Sequence, residues 1–391
     1  MTRDGDSGST ARGVGDPGAG GGSVGERVRA SIPLHLSQRR LAPEIGMTHD
    51  ALSRALNGQR HFSVLEIARL ADYLGLDTHW LITGEQDPYR VRLAARHTWG
   101  KSSADQEEQD AAIIARVVET YRAAYAAEGV GSTSMRLPAD PSELRAMLPS
   151  ADVRGLSEQV EGALGIDIVR DPGLSTDYSF RIGEHAVILL KSTIYWFRAN
   201  WSIAHELGHL ALGHHVRDRT TAAEEAPADA FAREFLLPEV KVRAVDWRTV
   251  DLGELARWVW DAGVSTAALS HRLRHLNLAT SKQVQEALKE TTPKLMRAHV
   301  EQLRNNRVHG DPIWERENAT TGRQFPEHLV AALTERVEVG EADPYLLAWV
   351  REVPVDDLSW PEPDVDAPLA DQETRRGEED DSHWFDLLEE R

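Results

Sequence analysis

The sequence contains no cysteine. That absence excludes disulfides, thiolate zinc ligands and a cysteine nucleophile, and it fits an intracellular, cytoplasmic protein. No apolar run approaches the length of a membrane span, and with hydrophobic residues at 41% a soluble protein with no membrane partner is expected. The first residues are rich in Gly, Ser and Asp and lack the apolar core of a secretory signal. Positive charge is also scarce, at a formal net −19, which looks hostile to nucleic acid. Its distribution says otherwise: residues 352–391 hold fifteen Asp/Glu against three Arg, leaving only about −7 for the rest. A DNA-binding module elsewhere in the chain is therefore compatible with the composition.

At 391 residues the chain has room for two or three domains. Residues 1–25 include nine glycines and almost no large apolar side chain, and are expected to be disordered. Residues 26–86 read as a string of short helices. One covers Val28 to Leu36. A second runs from Ser37 to Ile45 with Pro43 inside it, and a third is capped by Thr48 and stops at Asn57-Gly58. A fourth opens on the capping box Ser63…Glu66, and a fifth on Asp77. The second and third, joined by the tight Gly46-Met47 turn, form a helix-turn-helix.

Residues 36–58 (LSQRRLAPEIGMTHDALSRALNG) and 65–76 (LEIARLADYLGL) resemble the XRE, or phage-repressor, helix-turn-helix family. The resemblance implies DNA as a partner, with the helix from Thr48 in the major groove of an operator. It turns Thr48, His49, Asp50 and Ser53 toward base edges, and Gln38, Arg39, Arg54, Asn57 and Arg60 toward phosphates or flanking bases. A homodimer is compatible with this class. The segment carries seven Arg and seven Asp/Glu between 26 and 85, so it is not basic overall.

Residues 87–130 read as a polar linker followed by a helix from Asp110 to Ala127, taken as the first helix of the next domain. Three short strands follow, at Ile166–Val169, Phe180–Ile182 and the continuous apolar run Ala186–Leu190. One strand edge could bind an extended peptide.

The chemistry is concentrated in His205-Glu206-Leu207-Gly208-His209. On a helix, residues i and i+4 share a face, so both imidazoles can reach one zinc ion, while Glu206 stands beside it as a general base. The flanks are apolar nearly all round, as in a buried helix, where unpaired histidines and a carboxylate are costly. A catalytic zinc needs a third protein ligand, and two candidates compete. His215 sits where a third histidine falls in one zinc-peptidase pattern, but that pattern needs glycine at Leu212, and here it comes one residue late at Gly213. The alternative is Glu225, with Asp229 at i+4 to accept the second ring N–H of a ligating histidine.

Together, residues 201–214 (WSIAHELGHLALGH) and 225–238 (EAPADAFAREFLLP) resemble the ImmA/IrrE family of metallopeptidases across roughly 130–280. The resemblance implies a gluzincin-like fold, a small sheet packed on two ligand-bearing helices. It implies Zn2+ held by His205, His209 and Glu225, Glu206 as catalytic base, and site-specific cleavage of a DNA-binding repressor. Pro227 departs from an unbroken ligand helix. Tyr178, Tyr195, His185 and His214 are candidate transition-state donors by closeness in sequence alone.

The segment from Leu255 to Leu276 has the shape of a second helix-turn-helix with Arg257, Arg272 and Arg274 at hand, a candidate second DNA reader, but the resemblance implies that it is the peptidase's own C-terminal helical extension. Residues 281–350 read as further helices, and 351–391 as a disordered acidic tail that ends in Trp384, Phe385, Leu387 and Leu388. The expected architecture is thus α+β and predominantly helical. An all-α helix-turn-helix domain (26–86) precedes a linker and connecting helix (87–130), a peptidase domain (131–280), a helical region (281–350) and the tail. The expected function is a DNA-binding regulator whose zinc endopeptidase cuts a repressor, a partner or itself. The rivals are a non-enzymatic regulator whose zinc domain senses a signal, and one half of a toxin–antitoxin or phage-control pair.

Overall fold

A computed structural model describes residues 22–33, 35–85, 87–96, 103–126, 129–131, 136–150, 153, 155–214, 222–303 and 311–359. The expectations for most of the N-terminal and C-terminal segments and for His215 lie outside these residues.

Five short helices open the chain: α1 (Val24–Ser31), α2 (Gln38–Glu44), α3 (His49–Leu56), α4 (Val64–Leu74) and α5 (Thr78–Thr83). The first helix begins earlier than its apolar pattern suggests. Ser23 and Glu26 form a capping box that starts it inside the glycine-rich stretch expected to be unfolded. Three of the expected caps hold: the Thr48 hydroxyl accepts from the Ala51 amide, Ser63 and Glu66 cap each other, and Asp77 accepts from His79 and Trp80, whereas Ser37 stands at the N-cap position of α2 without a side-chain cap bond. Pro43 is tolerated because α2 is only seven residues long and Pro43 stands at its last turn. Gly46 takes φ +73° in the turn to α3, and a Cβ there would collide with the Arg69 guanidinium. Val28, Leu41, Ile45, Leu52, Leu70 and Leu81 form the core of this unit.

The segment expected to be a linker contains a strand, β1 (Val91–Arg96), and it is followed by α6 (Ala104–Tyr125). Next come α7 (Pro141–Ala146), α8 (Leu156–Leu164) and three more strands, β2 (Asp167–Asp171), β3 (Tyr178–Ile182) and β4 (His185–Lys191). The sheet order is β1-β3-β4-β2, antiparallel except for the parallel β2–β4 pair. A register shift between Leu93 and Ala95 interrupts the β1–β3 ladder.

Side chains alternate across the sheet with the period of two that a strand imposes. On β4, Ala186, Ile188 and Leu190 enter one core while Val187 and Leu189 enter the other. A strand covered on both faces reads as an unbroken apolar run, and that is the pattern of residues 186–190. One face carries α9 (Trp196–Ala211), on which α10 (Ala222–Leu236) packs in turn. Around them stand α11 (Glu239–Arg243), α12 (Leu252–Ala262), α13 (Thr266–His275), α14 (Lys282–Ala287), α15 (Thr292–Ala298), α16 (Val300–Leu303) and α17 (Pro312–Asn318). The opposite face is covered by α6 with α18 (Glu327–Glu338) and α19 (Pro344–Arg351).

Residues 281–350 are therefore no separate region. Val284, Leu295 and Leu303 complete the first core, and Leu329, Leu333 and Leu347 complete the second. The chain also stays folded past residue 351, through a 3-10 turn at Val355–Asp357 to the buried Leu358. The segment with the shape of a second helix-turn-helix is built into the same core, as the helical extension that the resemblance implies rather than as a second DNA reader. Arg272 is buried, its guanidinium pairs with Glu234 of α10, and its Nε donates to the Leu237 carbonyl at 3.0 Å. Arg257 pairs with Asp261 along its own helix and stays half-exposed, and Arg274 is exposed. Among the described residues no helix is long and apolar enough to cross a membrane.

Candidate metal centre and helix-turn-helix surface

The helix α9 is buried almost throughout, with His205 at 1% exposure and Glu206 and His209 at 0%. Gly208 makes this possible. A Cβ there would lie 3.1 Å from the Phe231 Cβ and 3.2 Å from the Ala228 carbonyl oxygen of α10. Without a side chain at 208, α10 can approach closely enough to bring its first turns over the histidines. Pro227 lies inside α10, and the helix continues through it. The loss is confined to one amide bond near the start of the helix.

The helices converge three ligand-type atoms. His205 Nε2 and His209 Nε2 lie 3.0 Å apart, and the Glu225 carboxylate oxygens lie 3.4 Å from His205 and 3.7 Å from His209. Donor atoms bound tetrahedrally at about 2.0–2.1 Å stand about 3.3 Å from one another, so the three separations fit a zinc-sized divalent cation. No other group of three such residues gathers among the described residues. His205 Nδ1 faces Asp229 Oδ1 at 3.1 Å, as expected of the carboxylate that fixes a ligand's ring. His209 has a partner that spacing did not reveal: its Nδ1 lies 2.8 Å from Nδ1 of His214. Burial holds His214 below the usual histidine range, which suits a neutral ring accepting from His209.

The electrostatics favour a cation. Burial by itself would lower His205, but the hydrogen bonds of Asp229 and Glu225 and the charge of Glu206 push it up to about 10. Glu206 is pushed up to about 8 by its burial, with His205 and the Ser179 hydrogen bond pulling the other way. The Ser179 hydroxyl donates to Glu206 Oε2 at 2.6 Å, and Glu206 Oε1 is buried without a hydrogen-bond partner among the described residues. Ser179 was missed from sequence. It is the polar side chain of β3 on the metal side, flanked by Tyr178 and Phe180 on the other face. An uncommitted, desolvated carboxylate oxygen beside three convergent ligands is suited to taking up a proton.

The other suggested donors stand elsewhere. Tyr178 donates to Asp110 at 2.6 Å within the second core, His185 lies against Asp167 at 2.9 Å, and Tyr195 is exposed ahead of α9. His214 alone is at the site, as a partner of His209.

In the N-terminal unit, α3 exposes Thr48, His49, Asp50, Arg54 and Asn57, and Ser53 is half-buried. Arg39 is exposed on α2 beside the half-buried Gln38. Several of these already have partners: Thr48 caps its helix, Asp50 pairs with Arg54 at 3.0 Å, and Asn57 accepts from Arg29 at 2.5 Å. Arg60 closes on Glu66 at 2.6 Å and is not a free phosphate contact.

Both units match known families. Residues 27–81 match the family model described as helix-turn-helix, and residues 161–274 match the one described as IrrE N-terminal-like domain, a peptidase family. The chain thus joins an XRE-type helix-turn-helix domain to a metallopeptidase-like domain, and the first match supports binding to DNA. No curated protein and no solved structure matches the chain.

Proposed function

We propose that this chain is a zinc-dependent endopeptidase fused to a DNA-binding transcriptional regulator, and that it cuts a repressor, a partner or itself to switch gene expression. The observation that carries the reading is the convergence of His205, His209 and Glu225 beside the uncommitted Glu206 carboxylate, in a chain that also bears a helix-turn-helix. A zinc ion held by the three side chains supplies the Lewis acidity that activates water and the scissile carbonyl. The protein supplies the rest. Glu206 takes the proton of the attacking water and delivers it to the leaving amine, and the Ser179 hydroxyl holds its other oxygen in place. Asp229 and His214 fix the two imidazole rings. Burial of the two histidines and Glu206 keeps bulk water from competing at the reacting atoms. At the other end of the chain, Thr48, His49 and Ser53 would read bases while Arg39 and Gln38 meet the backbone.

The test is metal analysis of the full chain together with co-expression of candidate XRE-type repressors. Stoichiometric zinc is expected, and His205→Ala should abolish it. Glu206→Gln should retain zinc while cleavage falls by about 10²–10⁴-fold. A chain that binds no metal would end the proposal.

A further inference from the structure

A groove of about 430 Å³ lies between α9, α10 and α13, the first two being the helices that carry the candidate metal ligands. Its floor includes Phe197, Trp201 and Val264, and its rim carries Arg198, Arg233 and His271. Trp201 stands one helical turn before His205, and Arg233 one turn after Asp229, so the groove shares both ligand helices with the site. The two arginines differ from their neighbours. Arg272 and Arg316 are engaged by Glu234 and by the Trp260 carbonyl, whereas the guanidinium groups of Arg198 and Arg233 have no hydrogen-bond or ion-pair partner among the described residues. An apolar floor under uncommitted cations suits an occupant with large apolar side chains set among carboxylates.

The chain carries such a segment. Residues 360–391 hold twelve Asp/Glu against three Arg, and near their end Trp384, Phe385, Leu387 and Leu388 stand among Asp380, Asp381, Asp386, Glu389 and Glu390. Nothing in the peptidase or the DNA-binding reading uses this pattern. Twenty-four residues separate Ser359 from Trp384. A linker of that length reaches roughly 80 Å when extended and about 27 Å as a coil. A folded body of about 250 residues has a radius of gyration of roughly 18 Å, so the segment can reach the groove from any face.

We infer that the C-terminal acidic-aromatic segment docks in this groove in cis, its Trp384 and Leu388 on Phe197 and Trp201 and its carboxylates on Arg198 and Arg233. Tethering gives it an effective concentration of about 1 mM, so an intrinsic Kd of about 100 µM already fills the groove about ten parts in eleven. The occupied groove is withheld from a protein substrate, and this last step rests on the peptidase reading. Docking itself does not.

The test uses full-length chains carrying Glu206→Gln, which prevents self-cleavage, and a fluorescein-labelled synthetic peptide of residues 378–391 as probe. With the tail disabled by Trp384→Ser and Leu388→Ser, the chain should bind the peptide about tenfold more tightly than the chain with its own tail. Adding the exposed-site change Arg198→Glu should abolish that binding, and a peptide with Asp386→Lys and Glu389→Lys should restore it. No binding to the tail-disabled chain, equal binding by both chains, or indifference to Arg198→Glu would each overturn the inference. Tail-dependent dimers in sedimentation would overturn it in favour of a second copy as the occupant. If docking holds but tail-disabled chains with Glu206 intact cleave no faster, the inhibitory step fails. If they cleave nothing, the peptidase reading fails and the docking measurement stands.

Discussion

Asp229 meets His205 Nδ1 through its Oδ1 at 3.1 Å, and its side chain is 45% exposed. Its contribution lies in holding a ring nitrogen, and removal of such a partner typically lowers metal affinity 10–100-fold. Asp229→Ala should therefore fold normally and lose zinc to a competing chelator at a 10–100-fold lower chelator concentration. Another carboxylate, Asp167, belongs to a different cluster, with Tyr121, His185 and His328. It accepts from the Tyr121 hydroxyl at 2.6 Å and lies 2.9 and 3.4 Å from the Nε2 atoms of His185 and His328. Burial works to raise its pKa, but the neighbouring histidines and the tyrosine outweigh it and hold the group well below the carboxylate range. The same contact raises His328. A depressed carboxylate stabilises the fold above its unfolded value near 3.9 and loses that contribution as pH falls. A raised histidine stabilises it below about 6.5 and loses that contribution as pH rises through its folded value. Urea midpoints should thus decline on both sides of a window from about pH 4 to 6.5. In Asp167→Asn, stability should drop by about 2 kcal/mol inside the window and both slopes should flatten.

Among elements, α13 shows how a helix with the outline of a DNA reader serves as a strut. Arg272 reaches across to α10, pairing with Glu234 and satisfying the Leu237 carbonyl just past the helix end. Arg272→Met removes both bonds and leaves a buried carbonyl unsatisfied, which should cost roughly 1–3 kcal/mol in chemical denaturation. Removing Arg274, which stays on the surface, should cost far less. The legibility of each element follows from where its information resides. Caps and turns are local, so Thr48, Ser63…Glu66 and the Gly46 turn could be read directly. The apolar run of β4 is also local, because burial on two faces leaves no alternation to confuse. β1 was missed although Val91 and Leu93 alternate with Arg92, because a six-residue strand amid polar neighbours is defined by its pairing with β3. The same holds for α14–α19, whose helices are written in their sequence while their two destinations are not. Within the site, the i, i+4 rule yielded His205 with His209 and Glu225 with Asp229. Ser179 and His214 come from a strand and a loop whose approach no spacing encodes.

On the scale of the molecule, charge is divided by region. The helix-turn-helix segment is balanced and the remainder is acidic, so attraction to DNA has to come from a few uncompensated cations such as Arg39. Against a selected operator, Arg39→Ala should weaken binding to all sequences alike and lower the slope of log K against log salt by about one. His49→Ala should instead change which sequences are preferred. Binding titrations between 50 and 200 mM salt separate the two.

The edge strand β1 has a consequence for inheritance and engineering alike. It lies just after the DNA-binding unit and well before residue 161, where the peptidase family match begins, yet it supplies one margin of the peptidase sheet. A recombination joint anywhere between β1 and that match would deliver a metallopeptidase-like half with β3 stripped of its β1 neighbour. A bare strand edge invites pairing with the bare edge of another chain. Grafting the metallopeptidase-like domain onto a different helix-turn-helix unit therefore succeeds only with the seam placed ahead of Tyr89, and grafts cut later should precipitate.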